Sequence, residues 1–141
     1  MIKPTIPPPK EALLKTLYYP YMIYHVRVIV RRALGKPSYL HGFVIVDLTR
    51  AMVLLADSFP QTFKIQVSEE SILPERIDES RATYLAKKKM TYVAMRKYKI
   101  FLPPKVEIER SKKVYKQYWV VNLKGKIYVV DSLTGDAELV E

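Results

Sequence analysis

Hydrophobic and polar positions alternate along most of the chain, and this period of two residues is typical of β-strands. Two long runs rich in Tyr, Ile and Val, residues 21–32 and 114–123, predict long strands. Shorter strands are predicted at residues 43–46, 52–55, 62–67, 105–110, 126–131 and 136–140. Charged Lys112 and Lys113 fall in a predicted turn between two of them.

Two segments follow helical spacing instead. Residues 9–17 predict a short helix, and a longer one is predicted to begin at Pro74 and to stop before Pro103. Acidic residues near the start of the long helix and cations near its end suit the helix dipole. Its apolar face is predicted to comprise Ile77, Tyr84, Leu85, Tyr92 and Met95, with Lys88 intruding and with Met90 and Val93 off that face.

A helix followed by hairpins is therefore predicted twice. We predict an α+β fold in which two helix-plus-antiparallel-sheet units, residues 10–67 and 74–141, form a single domain after a proline-rich arm at residues 1–9. Residues 18–23 resemble 114–120, and residues 43–50 resemble 127–135 with one residue inserted. These likenesses indicate a pseudo-repeat, or else only two unrelated hairpins that both end in aspartate turns.

The last strands carry a short motif. An aromatic strand, a tight turn and an apolar strand end in Asp-x-x-Thr-Gly, formed by Asp131, Thr134 and Gly135. Over residues 75–141 this pattern resembles PepSY-type and related small modules. The resemblance implies a helix packed on an antiparallel sheet, often in tandem, that binds or regulates other proteins, frequently proteases. The chain departs from such modules, which are commonly extracytoplasmic, because it is strongly basic and shows no signal-peptide pattern.

Composition narrows the class of protein. A chain of 141 residues with 49% hydrophobic residues can bury a core without a disulfide or a metal. No apolar run is long enough to span a membrane, and we expect an intracellular, cytoplasmic protein. The scarcity of Asn, Gln and Cys favours a thermophilic source.

Catalytic chemistry is not predicted. The chain has no Cys, and neither His25 nor His41 has a partner at motif spacing. The four glycines are isolated and form no phosphate-binding loop. We therefore predict a protein that is not an enzyme and has no cofactor and no metal site.

Positive charge is concentrated in one stretch. Residues 87–126 contain thirteen Lys or Arg against two acids, whereas the net charge of the whole chain is +10. Such a block predicts a surface that meets an anion: nucleic acid, an acidic protein face or an anionic membrane surface. The cations are phosphate contacts under one interpretation and a solvated surface under the other.

The turn between the last long strands decides which tyrosines share a face. A type I turn with a bulge at Gly125 places Tyr118 and Tyr128 together, opposite Trp119, as a stacking surface for unpaired bases. A two-residue turn instead moves Tyr128 to the Trp119 side. Alternatively, another element covers the face that carries Tyr118 and Tyr128, and the tyrosines are then packing residues. The predicted nucleic-acid-binding residues are Lys87, Lys89, Arg96, Lys97, Lys99, Lys112, Lys113, Lys116, Tyr118, Lys126 and Tyr128.

The sequence thus predicts a non-catalytic basic protein that binds RNA or DNA through phosphate contacts and aromatic stacking. The alternatives are a protein-interaction module with an acidic partner, as the resemblance implies, and a structural subunit of a larger particle or virion. The last long strands are apolar on both faces, and Met90 and Val93 lie off the predicted helix face. These exposed positions predict a homo-oligomer or part of a complex.

Overall fold

The fold is built on six β-strands and, in the part of the chain that is described, one α-helix. The structure is a computed structural model that describes residues 1–2, 4, 13–31, 35–98 and 103–140. In chain order its elements are β1 (Leu13–Val30), β2 (Ser38–Asp47), β3 (Val53–Ala56), a short 3-10 helix (Glu69–Ser71), α1 (Glu79–Tyr98), β4 (Lys105–Leu123), β5 (Lys126–Asp131) and β6 (Ala137–Leu139). The strands are ordered β3-β2-β1-β4-β5-β6, and β2 with its two neighbours and β5 with its two neighbours are antiparallel.

The predicted α+β fold of two helix-plus-antiparallel-sheet units is therefore wrong. The last five residues of the predicted first helix, 13–17, belong to β1, and residues 9–12 lie outside the described part of the chain. The leucines at helical spacing predicted a helix, but the segment continues directly into the Tyr- and Val-rich strand. Hydrogen bonding between strands there outweighs the weak local preference for a helix.

Two other predicted elements change. Residues 105–110 and 114–123 belong to a single strand, β4. The residues between them, which were predicted to form a turn, are exposed and have an extended backbone. Residues 62–67 do not form a strand: Thr62 makes one isolated bridge, to Ile2, and Phe63 and Ile65 are exposed. The strand predicted at residues 126–131 has the same bounds as the observed β5.

The chain packs into two units, and β1 and β4 each contribute residues to both. The helical unit comprises Tyr21–Phe59 and Arg76–Lys113, and the terminal unit comprises Met1–Pro20, Pro60–Glu75 and Val114–Glu141. No helix of the described residues is long and apolar enough to cross a membrane.

In the helical unit, one face of the sheet is covered by α1. Alternate residues of β1, from Met22 to Val30, and Val44 and Val46 of β2 point to this face and are buried. The helix presents a row at four-residue spacing to the same core: Ala82, Ala86, Met90 and Ala94. Small alanine side chains allow the helix to lie close to the sheet.

The N-terminus of α1 lies later in the chain than predicted. Pro74 does not open the helix, because the amides of Arg76 and Ile77 donate to the Leu48 carbonyl at 2.7 and 3.2 Å. Asp78 caps the helix instead: its Oδ1 accepts from the Arg81 amide at 2.8 Å.

In the terminal unit, β4 and β5 form a hairpin that carries most of the buried residues. Val114, Trp119 and Val121 are almost fully buried. The segment before α1 runs beside β1, where the Leu73 amide donates to the Tyr18 carbonyl at 2.9 Å. Both faces of β4 are buried here, Trp119 and Val121 on one and Tyr118 and Val120 on the other, and Met90 is buried in the helical unit. These findings remove two grounds on which self-association was predicted.

Each unit contains the same aspartate turn. Asp47 Oδ1 accepts from the amides of Thr49 and Arg50, and Asp131 Oδ1 accepts from those of Leu133 and Thr134. In both turns the residue four positions on donates to the aspartate carbonyl and has a positive φ: 58° at Ala51 and 78° at Gly135. A tyrosine, Tyr21 or Tyr118, lies opposite the aspartate on the neighbouring strand. The two hairpins thus correspond position for position, without an inserted residue.

Replacing Asp47 by Ala is expected to lower the free energy of unfolding by about 2–3 kcal/mol, because two turn amides lose a charged acceptor and Arg50 loses its ion pair. Asp47→Asn keeps the Oδ1 acceptor and is expected to cost less than Asp47→Ala. Denaturant unfolding of both variants checks this ranking. Equal losses for the two would show that the amide bonds do not hold the turn.

Candidate nucleic-acid interface

The predicted binding residues are divided between the two units. The helical unit holds Lys87, Lys89, Arg96 and Lys97 on α1 and Lys112 and Lys113 on β4. The terminal unit holds Lys116, Tyr118, Lys126 and Tyr128. Lys99 lies outside the described residues. Each unit therefore has its own candidate surface.

The β4–β5 turn places Tyr118 and Tyr128 on opposite faces. Leu123 pairs with Lys126, so the loop has two residues, Lys124 and Gly125, with φ of 53° and 79°. Both values are positive, as in a type I′ turn. Tyr128 then lies opposite Val121, on the Trp119 face, whereas Tyr118 lies opposite Asp131. The hairpin has the register of a two-residue turn, and the tyrosines do not form a shared stacking surface.

Two members of the terminal group are also engaged within the protein. Tyr118 is 8% exposed, and its ring packs against Tyr19 with 4.6 Å between centroids. Lys116 Nζ lies 2.7 Å from Asp131 Oδ2, and both side chains are largely buried. Neither residue offers a bare surface to a large anion.

The outer surface of α1 has a different character. At four-residue intervals it carries Tyr84, Lys88, Tyr92 and Arg96, all exposed. Residues at this spacing lie one above another along the helix, and the row spans about 18 Å. The tyrosine side chains are 51% and 57% exposed, which is high for residues with a large apolar ring. We call these four residues the outer row.

Arginines lie against the tyrosine rings of this surface. The guanidinium carbon of Arg81 is 5.0 Å from the Tyr84 ring centroid, and that of Arg96 is 5.6 Å from the Tyr92 centroid. Arg96 Nη1 also lies 3.5 Å from the Tyr92 hydroxyl oxygen. These cation–π contacts hold the arginines beside the rings while leaving them charged.

The cations of α1 differ in their pairing from several cations of the sheet and its turns. Arg27 contacts Glu107 and Glu109, Lys105 contacts Glu107, and Arg50 and Lys116 each contact an aspartate. Within the part of the chain that the structure describes, no ion pair joins a carboxylate to a cation of α1. The helix has six Lys or Arg and one acid, Glu79, in its first turn. Its outer surface therefore keeps its positive charge.

The ion pairs of Arg27 also shift pKa values. The hydrogen bond from Arg27 lowers the pKa of Glu107, with a further contribution from Lys105, and the same bond raises the pKa of Arg27. On the inner side of α1, burial raises the pKa of the Tyr24 hydroxyl, which shares a hydrogen bond with Thr83 at 3.1 Å. These groups hold the unit together and are not available to a partner.

Sequence reasoning missed Tyr84, Lys88 and Tyr92 as surface residues. Of the predicted apolar face, Ile77 and Leu85 do pack against the core, whereas Tyr84 and Tyr92 are exposed on the side away from the sheet. The signal that identifies the inner face is the repeat of small residues around Met90: Ala82, Ala86 and Ala94. Large apolar residues dominated the pattern, although alanines make the closer contact with a sheet.

Comparisons with known proteins add no family to this geometry. No protein-family model matches the chain, and no curated protein or solved structure matches it. The interface is therefore characterised by its own chemistry: an exposed helix surface on which tyrosine rings alternate with cations that have no carboxylate partners among the described residues.

Proposed function

We propose that this protein binds nucleic acid without strong sequence specificity through the exposed residues of α1. Lys88 and Arg96 of the outer row contact phosphates together with two further exposed lysines, Lys87 beside the row and Lys97 in the last turn on the side of Ala94. Tyr84 and Tyr92 of the outer row stack on unpaired bases. The observation that carries the proposal is a contrast in pairing: Arg27, Lys105 and Lys116 of the sheet contact carboxylates, and among the described residues no cation of α1 does. The charge that remains is available to neutralise phosphates.

The tyrosines favour a single-stranded ligand. Stacking needs a free base face, which loops and single strands offer and a regular duplex does not. Each stacked base contributes on the order of 1–3 kcal/mol in proteins of this type. Cations between the rings follow the backbone, so both interactions can act on one strand.

The same surface also suits an acidic protein, as expected of an interaction module. An acidic peptide would be bound by the charges alone and would gain little from the tyrosine positions. Binding measurements with nucleic acid separate the two functions, because stacking on bases and release of counterions from a polyphosphate backbone are specific to nucleic acid.

The test is a titration of the protein with single-stranded RNA, single-stranded DNA and duplex DNA of several sequences at increasing salt. We expect micromolar or tighter binding at low salt, with little dependence on sequence. Four phosphate contacts predict a slope of log K against log salt of about −3 for single strands. Fluorescence anisotropy measures both quantities. Absence of binding to every nucleic acid near physiological salt would contradict the proposal and favour the acidic protein partner.

A further inference from the structure

The two histidines of the chain meet on the face of the sheet that α1 does not cover. His25 on β1 lies opposite Phe43, and His41 on β2 lies opposite Arg27, so the histidines are diagonal neighbours. His25 Nε2 and His41 Nδ1 are 3.2 Å apart. His25 is half-buried and His41 is exposed, so both nitrogens are close to solvent. The sequence analysis found no partner for either residue because they are sixteen positions apart.

The spacing of these nitrogens suits two ligands of one metal ion. Imidazole nitrogens bind late first-row metals at about 2.0–2.1 Å, so two of them at angles of about 90–109° lie about 2.8–3.4 Å apart. The observed separation falls within this range. Without a metal, the two nitrogens share a hydrogen bond, so one of them carries a proton. Metal binding moves that proton to the other nitrogen of its ring, and a small rotation of the rings then turns both lone pairs toward a shared ion.

The neighbouring side chains position the rings. The His25 ring stacks on Phe43 with 4.8 Å between centroids and an angle of 15° between the planes. Phe59 meets the Phe43 ring edge-on at 6.3 Å. The stacking on Phe43 restricts the His25 ring before any ligand binds, which lowers the entropic cost of binding.

The charges on this face do not exclude a cation. Arg27, which is next to the pair, contacts Glu107 at 2.8 Å and Glu109 at 3.2 Å. Lys105 Nζ is 3.3 Å from Glu107. Arg27 and Lys105 are thus balanced by two carboxylates, and a third cation, Arg110, lies beyond the Phe43 ring, 4.2 Å from the Phe59 centroid. Among the described residues, no third His, Cys, Asp or Glu completes a metal-binding group, so water fills the other positions around an ion.

We propose that His25 and His41 form a two-histidine chelate for a late first-row divalent cation, with Cu²⁺ bound more tightly than Ni²⁺ or Zn²⁺. The site is independent of the nucleic-acid interface, since its ligands lie on β1 and β2 and not on α1. Because these are the only two His and the chain has no Cys, no other imidazole or thiolate competes for the ion.

The experiment is calorimetric titration of the full chain with Cu²⁺ and with Zn²⁺ at neutral pH. We expect one ion per chain, with an affinity at least tenfold lower in His25→Gln and in His41→Gln than in the unmodified protein. Tyr39→Phe is the matched control, because it changes a neighbouring side chain on β2 and leaves both imidazoles in place. Its affinity is expected to be unchanged.

A second measurement does not depend on variants. Substoichiometric Cu²⁺ is expected to broaden the NMR signals of both imidazoles together, and removal of the ion with a chelator is expected to restore them. Unchanged affinity in either single variant would overturn the proposal, as would one ion shared by two chains or no saturable binding. Retention of metal binding when the α1 cations are replaced would show that the two sites are separate.

Discussion

Replacing Lys87, Lys88, Arg96 and Lys97 together by Gln is expected to lower the affinity for single-stranded nucleic acid by about 100-fold at low salt. Each cation that contacts a phosphate releases counterions on binding, so the salt slope for single strands should flatten by about 0.7 unit for each phosphate that is no longer neutralised. Because phosphate contacts carry no sequence information, the effect should be similar for all sequences. Anisotropy titrations at several salt concentrations measure both quantities.

A matched control removes the same charge elsewhere. Lys15, Lys64, Lys124 and Lys126 are exposed lysines of the terminal unit, and their joint replacement by Gln changes the net charge by the same amount. We expect this control to lose much less affinity than the α1 variant. Equal losses of affinity would show that total charge, and not the surface of α1, drives binding.

The tyrosines of the outer row give a further comparison. Replacement of Tyr84 and Tyr92 by Ala should weaken binding of single strands more than binding of duplexes, because only unpaired bases stack on the rings. An equal effect on both ligands would mean that the tyrosines only support the arginines beside them.

Replacing Met90 by Ala is expected to lower the free energy of unfolding by about 2–5 kcal/mol, which is the range for removal of a large buried side chain. Met90 is 2% exposed and joins α1 to the core of the helical unit. Tyr92→Ala is the matched control on the same helix: its side chain is exposed, and the change should stay within about 0.5 kcal/mol. The sequence-based helix face predicts the opposite ranking, so denaturant unfolding of the two variants distinguishes them.

A neighbouring glycine allows a double-mutant test of the same packing. A Cβ added at Gly42 on β2 would lie 2.7 Å from Met90 Sδ, well inside van der Waals distance. Because the end of the buried Met90 side chain must shift to make room, Gly42→Ala alone is expected to cost about 1 kcal/mol by overpacking. In the Met90→Ala background the added methyl enters the vacated space, so the two changes in unfolding free energy should not add. Strict additivity would show that Gly42 and Met90 do not pack as the structure places them.

Local signals were reliable where backbone chemistry acts within a few residues. The strand at 126–131 was predicted at its observed bounds, and the aspartate that ends it bonds the turn amides as its position suggested. Lys124–Gly125 was expected as a turn, but its type was not determined because both turn types accept Gly at this position. One residue of difference in the loop decides which face Tyr128 occupies.

Features that depend on contacts between distant segments could not be predicted from local sequence patterns. Residues 13–17 have helical spacing and nevertheless belong to β1, since the partner strands that fix them are distant in sequence. The pairing of cations with carboxylates also depends on distant strands: Arg27 and Glu107 are 80 positions apart. Which cations remain for a ligand is therefore a property of the folded chain.

By itself, the sequence determined that this protein is rich in strands, repeats an aspartate turn and concentrates positive charge in its second half, because each of these depends on residue type and short spacing. Tertiary structure decided which side of α1 is buried, which lysines and arginines pair with carboxylates, and that His25 meets His41. Those outcomes depend on the register and packing of segments far apart in the chain, where a shift of one residue reverses every face.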